Sequence, residues 1–522
     1  MNDRFAFNPA SARQAPPLSP ASDSAGQAAS SPLTSDSTRQ VPPSSFGGAT
    51  PGGPATTSGP AAPPPPTANA RSLSKIKSEP RDWAFLFMLA FTANVFFRPQ
   101  DGIPGLHLLH LAEMSAIAGM TALMMGRLSR NLPVTRITPE LVGIFALGLL
   151  IVVLAPFSIW MGGAIGMFKD LYVKVMLIFL LMINVLTSAR RIERLTWLMV
   201  IASGYIGFRA VLDYARGVNL VENGRVKGAV SGIFGNPNDL ALNMVSVLPL
   251  ALFIAMRPGP SGRRLFAAGS AVFMLGATIA SHSRSGALGL VSMTIVLVYF
   301  AIRRRPGIVL GGALAMAVAL PLVPSSYWER LESITDQSKD LTGSREARQT
   351  LLRESTQAFL ENPLTGVGAG QFKNWNPKGR AEPWHESHDV FLQVAAELGI
   401  GGLVLFVFLI ARAGLSVAST RTMLRRVRLA SAPSRARRPS AKPVPHLERD
   451  ECESLDAHSA AMAASLTGWL VCALFASVAY NWTFYYLLAL AVAPRDLLID
   501  RMPTPVTALQ RMPQARVEAV QA

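Results

Sequence analysis

Cysteine is almost missing from this chain: Cys452 and Cys472 are the only two in 522 residues. Two cysteines give no disulfide framework. Both are expected as free thiols, Cys452 in a cytoplasmic loop and Cys472 inside an apolar segment. Charge is scarce too, at 16% of residues, and the acidic side is the poorer, with 32 Asp and Glu against 49 Lys and Arg. So little charge beside 50% hydrophobic residues excludes an ordinary soluble globular protein. No apolar run precedes Asp82, so no cleavable signal peptide is expected.

What the chain has instead is a series of long apolar runs. They fall near 82–98, 107–125, 139–158, 170–186, 193–212, 238–256, 264–280, 284–301, 306–323, 389–411, 458–479 and 480–494. Their lengths suit about twelve helices crossing about 30 Å of hydrocarbon. Continuous apolarity, without alternation, points to helices rather than a barrel. The fold class is therefore an all-α polytopic membrane protein with a large outer loop.

The segments follow from this. Residues 1–80 are rich in Pro, Ser, Ala, Thr and Gly, cannot bury a core, and are expected as a disordered cytoplasmic tail. Residues 81–323 hold the first nine spans and 324–388 form the large outer loop. The tenth span is 389–415, a basic cytoplasmic linker is 416–457, two further spans fill 458–500, and 501–522 is a cytoplasmic tail.

A net charge of +17 invites a nucleic-acid reading, but its distribution excludes one. Basic residues cluster in alternate loops: Arg127 to Arg136, Arg190 to Arg194, Arg257 to Arg264, Arg303 to Arg305 and Arg412 to Arg438. That is the positive-inside pattern of a multi-pass protein of the cytoplasmic membrane. It puts both termini inside, and the loops near 213–237, 281–284 and 324–388 outside.

Basic residues on the outer loops are then exceptions that need a reason. In the first loop Arg225 and Lys227 precede Phe234-Gly235-Asn236-Pro237-Asn238-Asp239. Pro237 ends any earlier helix, and Asn238 or Asp239 is placed to cap the next. The free N–H groups of such a start favour an anion. Plain capping accounts for Asn238 and Asp239 at least as well as a ligand role; Arg225 points more to a ligand. In the second loop, Ser281-His282-Ser283-Arg284-Ser285-Gly286, Arg284 opens an apolar helix. A guanidinium so near the hydrocarbon needs a partner, either headgroups or a bound anion.

The third loop begins an amphipathic helix at Thr342-Gly343-Ser344-Arg345. Leu351, Leu352, Ser355 and Phe359 share a stripe, and Arg345, Arg348 and Arg353 carry charge. The helix is expected to lie along the membrane surface. Asn362-Pro363 stops it, and Gly366, Gly368 and Gly370 form a turn. That run is no dinucleotide loop, because no strand precedes it.

The loop closes on His385-Glu386-Ser387-His388-Asp389. This misses the zinc-protease pattern, whose fifth residue is His; two His and a nearby Asp leave a metal site as one reading, though no further His or Cys ligand pair supports it. Two other readings stand: a hydrogen-bonded interfacial histidine, and a general base whose neutral imidazole takes a hydroxyl proton near its ordinary pKa.

Three motifs resemble the O-antigen ligase and polymerase superfamily of bacterial polysaccharide assembly. They are FGNPNDLAL at 234–242, SRSG at 283–286, and TGSR…ENPLTGVGAGQF followed by His388. His388, Gly399 and Gly402 fit the ligase spacing of a His followed by Gly-x-x-Gly, whereas Asp389 stands where that branch usually has Asn, Ser or Gln. The likeness covers roughly 190–415 and leans, through Asp389, to the polymerase branch. It implies a metal-independent, cofactor-free glycosyltransferase of GT-C-like fold in the bacterial inner membrane. The donor would be a glycan on undecaprenyl pyrophosphate, and the acceptor a growing glycan or lipid A-core. Other polysaccharide-assembly proteins would be partners. On this likeness His388, Arg284 and Arg225 are catalytic, and Lys227, Arg345, Asn236, Asn238, Asp389 and Glu386 bind substrate, with Asp389 or Glu386 orienting the imidazole. A protein O-glycosylating ligase and a transporter without chemistry are the alternatives; polar groups at the outer edge rather than mid-span speak against the transporter.

Overall fold

The computed structural model describes residues 82–103, 105–221, 224–229, 234–302, 306–322, 325–332, 344–376, 385–431, 445 and 447–502. These belong to one unit, Ser78–Ala522. The expected N-terminal tail, the C-terminal tail beyond 502, and residues 432–444 and 446 of the basic linker lie outside the described residues.

The chain runs through helices α1 (Trp83–Phe97), α2 (Pro99–Gly102), α3 (Leu111–Leu128), α4 (Pro139–Leu154), α5 (Met161–Met167), α6 (Val173–Val185), α7 (Ala189–Arg216) and α8 (Pro237–Met256). It continues through α9 (Ser261–Ala280), α10 (Arg284–Ala301), α11 (Pro306–Ala319), α12 (Ser325–Glu332), α13 (Ser344–Glu361), α14 (Val390–Ala430), α15 (Arg449–Ala473) and α16 (Trp482–Asp500). Each apolar run read from the sequence falls on a helix. Among the described residues, six are long and apolar enough to cross a membrane: α4 with its last turn, α7, α8, α10, α14 and α16. The protein is an all-α, multi-pass membrane protein.

One feature departs from all-α. Strands β1 (Leu220–Val221) and β2 (Arg225–Val226) pair antiparallel, with Val221 opposite Arg225. Gly224, at φ 70°, permits the reversal between them.

Two boundaries also move. Helix α14 runs on to Ala430, past the span expected to end at 415, and α15 starts at Arg449. Cys452 is therefore a buried helical residue rather than a loop residue; both cysteines are free.

The interior is built on α16 and α8. Tyr485, Tyr486, Phe484 and Leu488 of α16 are fully buried, and Trp469 of α15 stacks on Phe484 at 4.6 Å. A helix buried on all sides reads as apolar all round, which is how both segments appear in the sequence.

The two ends of the bundle differ. One end holds ion pairs: Arg191 with Asp82 at 2.6 Å, Arg428 with Asp456 at 2.6 Å, and Arg257 with Glu193 at 3.6 Å. There Glu140 of α4, fully buried, receives Arg412 of α14 at 2.8 Å and Arg495 of α16 at 2.6 Å. The opposite end collects the starts of α8, α10, α14 and α16. Each start is capped by a polar side chain: Asn236, Ser283, Asp389 and Asn481.

Candidate functional site

Helix α14 is broken at Gly399, whose φ of 64° and ψ of −163° are not helical. A break frees backbone groups that must be satisfied inside the protein. The glycine turn supplies the partners. Val367 N–H donates to Ala396 O at 2.8 Å and Gly368 N–H to Glu397 O at 2.9 Å, while Ile400 N–H donates to Pro363 O at 2.8 Å. The Gly370 N–H also donates to the Glu397 carboxylate at 2.8 Å. Contact is so close that a Cβ on Gly366 would sit 2.3 Å from the Glu397 backbone, and one on Gly399 would sit 2.6 Å from Pro363 O. Sequence spacing marks these glycines, and the docking explains them.

Helix α13 packs against α14. Its inner face is Leu351, Ser355 and Ala358, and Leu351 and Ala358 join Val367, Phe372, Trp375 and Ala396 in a small core. Leu352, expected on that face, is 38% exposed, because helical spacing from Leu351 runs through 354, 355 and 358. Thr342 and Gly343 lie outside the described residues. Arg345 opens the helix, and its side chain is likewise outside them.

The segment before α14 holds His388 at φ 52°, a left-handed conformation rarely adopted by a non-glycine residue. It is fixed by Ser477, whose hydroxyl accepts from the His388 N–H at 3.0 Å and lies 3.2 Å from the Ser387 hydroxyl. Burial pushes the imidazole down to about 4, with help from the nearby positive charges of Arg348 and His385. The expectation of an ordinary pKa is corrected accordingly: the half-buried ring holds its neutral form more strongly. The carboxylate of Asp389 accepts from the Phe391 and Leu392 N–H groups at 2.9 and 2.8 Å, the work of a helix cap. Burial raises its pKa against those two bonds. Glu386 is exposed at the cavity, and crowding by protein raises its carboxyl, opposed by Lys373.

The arginine side forms a second cluster. The Arg225 guanidinium donates to Ser281 O at 3.2 Å and to Asn238 Oδ1 at 2.9 Å. Asn238 Oδ1 also accepts from the Ser283 hydroxyl at 2.9 Å, and that hydroxyl caps α10 by accepting from Gly286 N–H at 3.2 Å. Arg225, Asn238 and the 281–285 hairpin are thus one assembly, with half-buried Arg284 as the first residue of α10. Lys227 follows β2, its N–H donating to Asn219 O at 3.1 Å. The cap of α8 is Asn236, which accepts from Asp239 N–H at 2.9 Å, and not Asn238 or Asp239. Pro237 takes the first helical position, so residue 236 is left extended to cap.

A cavity of about 700 Å³ adjoins chain neighbours of both clusters, but Arg225, Arg284 and His388 are not among the residues that line it. Asp239, Glu386 and Ser387 line it together with residues the sequence did not single out: Asp170, Glu397, Ser477, Tyr480 and Trp482. Asp239 and Glu386 lie within electrostatic reach of each other. Asp239 follows Asn238, which holds Arg225, and Glu386 precedes Ser387 and His388 by one and two residues. Among the described residues, no three His, Cys, Asp or Glu side chains converge as metal ligands.

No curated protein matches the chain. The match to a family model begins at residue 269, so Arg225, Lys227, Asn236 and Asn238 lie outside it and the segment is narrower than 190–415. Residues 269–407, which contain Arg284, α13, the glycine turn, His388 and Gly399, match the family model described as O-Antigen ligase, in support of a likeness to the O-antigen ligase and polymerase superfamily.

Proposed function

We propose that this membrane protein transfers a glycan from undecaprenyl pyrophosphate to a hydroxyl acceptor, at the outer face of the bacterial inner membrane. The observation that carries the reading is the first turn of α8. Asn238 holds Arg225 and the α10 hairpin, while the next residue, Asp239, lines the cavity shared with Glu386 beside His388. One hollow thus reaches Asp239, next in the chain to the Asn238 that holds Arg225, and Ser387, next to His388, which supports a cation site for a leaving phosphate near a neutral base.

In this reaction His388 accepts the acceptor hydroxyl proton. The acceptor oxygen forms its bond to the anomeric carbon from the face opposite the leaving group. The bond from that carbon to phosphate oxygen breaks, and its electron pair leaves on the pyrophosphate. Arg225 and Arg284, with Lys227 two residues after Arg225 and Arg345 on the third outer segment, stabilise the charge that grows there. Arg348, which already acts on His388, is placed to join them. Direct displacement inverts the anomeric centre. Asp389 is engaged as a cap, so it holds His388 through the backbone rather than through the ring.

Asp389 leans the assignment to a polymerase of exopolysaccharide or O-antigen over a ligase. Deletion of the gene followed by analysis of surface glycans tests this. Single unpolymerised repeats are expected. Full-length chains retained on undecaprenyl pyrophosphate would identify a ligase, and unchanged glycans would overturn the transferase reading.

A further inference from the structure

A second cavity, of about 570 Å³, lies at the ion-paired end of the bundle, among the ends of α8, α10 and α14 and the start of α15. Its apolar wall is Phe253 and Met256 of α8 with Leu297 and Phe300 of α10. Helix α15 supplies Ser454, Ala457 and Ala461, spaced so that they share one helical face. Side chains this small leave open a hollow that larger ones would close. The hollow adjoins a lipid-facing surface. Helix α10 is one of the six candidate membrane spans, and Val291, Ile295 and Tyr299 form an exposed ridge along it, at 59, 64 and 58%. Tyr299 is next in the chain to Phe300 of the cavity wall. A tyrosine beside arginines at the end of an apolar helix marks the depth of the lipid headgroups.

The charged part of the lining decides which headgroup fits. Arg257 and Arg428 are part-exposed, and each guanidinium already meets one carboxylate, Glu193 at 3.6 Å and Asp456 at 2.6 Å. A guanidinium has several donors, so both keep N–H groups for a phosphate oxygen. Glu453 is likewise matched, by Arg449 at 3.2 Å. Asp450, exposed in the first turn of α15, has no ion pair among the described residues. Counted pair by pair, the arginines are cancelled and one carboxylate is left over. An anionic headgroup therefore finds no net attraction here. A headgroup that carries an ammonium beside its phosphate meets both signs, the phosphate at the arginines and the ammonium at Asp450 and Glu453.

We propose that this cavity holds an aminophospholipid, with its headgroup among Arg257, Arg428 and Asp450 and one acyl chain along the exposed ridge of α10. The site lies at the opposite end of the bundle from His388 and depends on no part of the glycan-transfer reading. Only the choice of leaflet, the cytoplasmic one, rests on the proposed orientation. A lipid seated there touches α8, α10 and α15 together, so its binding stabilises their packing.

The test is native mass spectrometry of the full-length protein, delipidated in detergent and titrated with dioleoyl lipids that differ only in headgroup. The probes are phosphatidylethanolamine, phosphatidylcholine and phosphatidylglycerol. Phosphatidylcholine keeps the positive charge but has no N–H to donate, and phosphatidylglycerol lacks the amine. At the first bound lipid, phosphatidylethanolamine is expected to bind about tenfold more tightly than either, the discrimination that one charge-assisted hydrogen bond yields. It is also expected to raise the thermal midpoint. Asp450→Asn combined with Glu453→Gln is expected to remove the preference over phosphatidylcholine. Ala457→Leu, which fills the hollow, is expected to weaken all three. Asp450 and Glu453 are exposed, so the double variant is expected to fold; thermal melts check both variants. Phosphatidylglycerol bound as tightly as phosphatidylethanolamine would overturn the proposal, as would a preference unchanged in the double variant. An unaltered first binding step in Ala457→Leu would place the lipid elsewhere and overturn it as well. Transferase activity enters none of these results, so its absence would leave the site standing.

Discussion

At His388 burial and nearby cations act in the same direction. Both disfavour the imidazolium, and the pKa falls to about 4. A base works in its neutral form, so activity is present above the folded pKa and is lost as pH falls through it. The acid limb of kcat/KM is expected near 4, well below an ordinary histidine limb. Bound pyrophosphate adds negative charge beside the ring and favours the imidazolium. The limb of kcat is therefore expected at higher pH than that of kcat/KM, and a pH–rate series measures both. A single shared limb near 6.5 would show that the ring is neither buried nor charged as described. Arg225 acts by geometry as well as charge, since its fork reaches Ser281 O and Asn238 at once. Lysine lacks that fork, so Arg225→Lys is expected to lower kcat/KM for the donor about tenfold or more. Full activity in the lysine variant would reduce Arg225 to a point charge.

Among the elements, α14 carries the design. Its break at Gly399 takes a left-handed backbone, and a side chain there would collide with Pro363 O and Leu364. Gly399→Ala is expected to cost stability by strain and by undocking the glycine turn, about 1–3 kcal/mol from the backbone alone. It should lower the thermal midpoint and release α13 to proteolysis; an unchanged melt would contradict the docking. At the other end Glu140 neutralises Arg412 and Arg495 in the bundle interior. Removing it leaves Arg495 with Asp496 as its remaining carboxylate and Arg412 part-exposed, and Glu140→Ala is expected to destabilise by about 1–3 kcal/mol. The helices themselves were legible in the sequence, since apolar length alone locates them. The glycines were visible as a spacing, but not the break, because one positive φ leaves no periodic signal. Leu352 was misplaced because a stripe read by residue type ignores which neighbours sit at three and four residues' distance. The cavity was invisible for a different reason. Asp170, Ser477, Tyr480 and Trp482 come from segments that read locally as helix ends, and only tertiary packing brings them around one cavity, with Ser477 alone of the four bonded to His388.

At the scale of the whole molecule, the basic, ion-paired end and the end bearing the cavity are opposite faces of one bundle. The proposed orientation, which follows the positive-inside pattern, has the first facing the cytoplasm. Both native cysteines are buried, so single introduced cysteines report cleanly. Lys373→Cys, exposed at the cavity, is expected to react with an impermeant maleimide in intact spheroplasts. Arg449→Cys, with its side chain 90% exposed, is expected to react only after lysis. The reverse pattern would place the cavity inside and remove the lipid-linked donor from its reach. The central claim is that a neutral His388 and the Arg225–Arg284 cluster act on one lipid-linked donor. The most direct measurement is transfer by purified protein in proteoliposomes supplied with an undecaprenyl-pyrophosphate-linked oligosaccharide and its acceptor, following release of undecaprenyl pyrophosphate. The unaltered protein is expected to release it with inversion at the new linkage. His388→Ala is expected to lose about a hundredfold or more of that rate, and Arg284→Ala to lose it comparably, both with normal melting curves. Undiminished turnover in both variants would contradict the account.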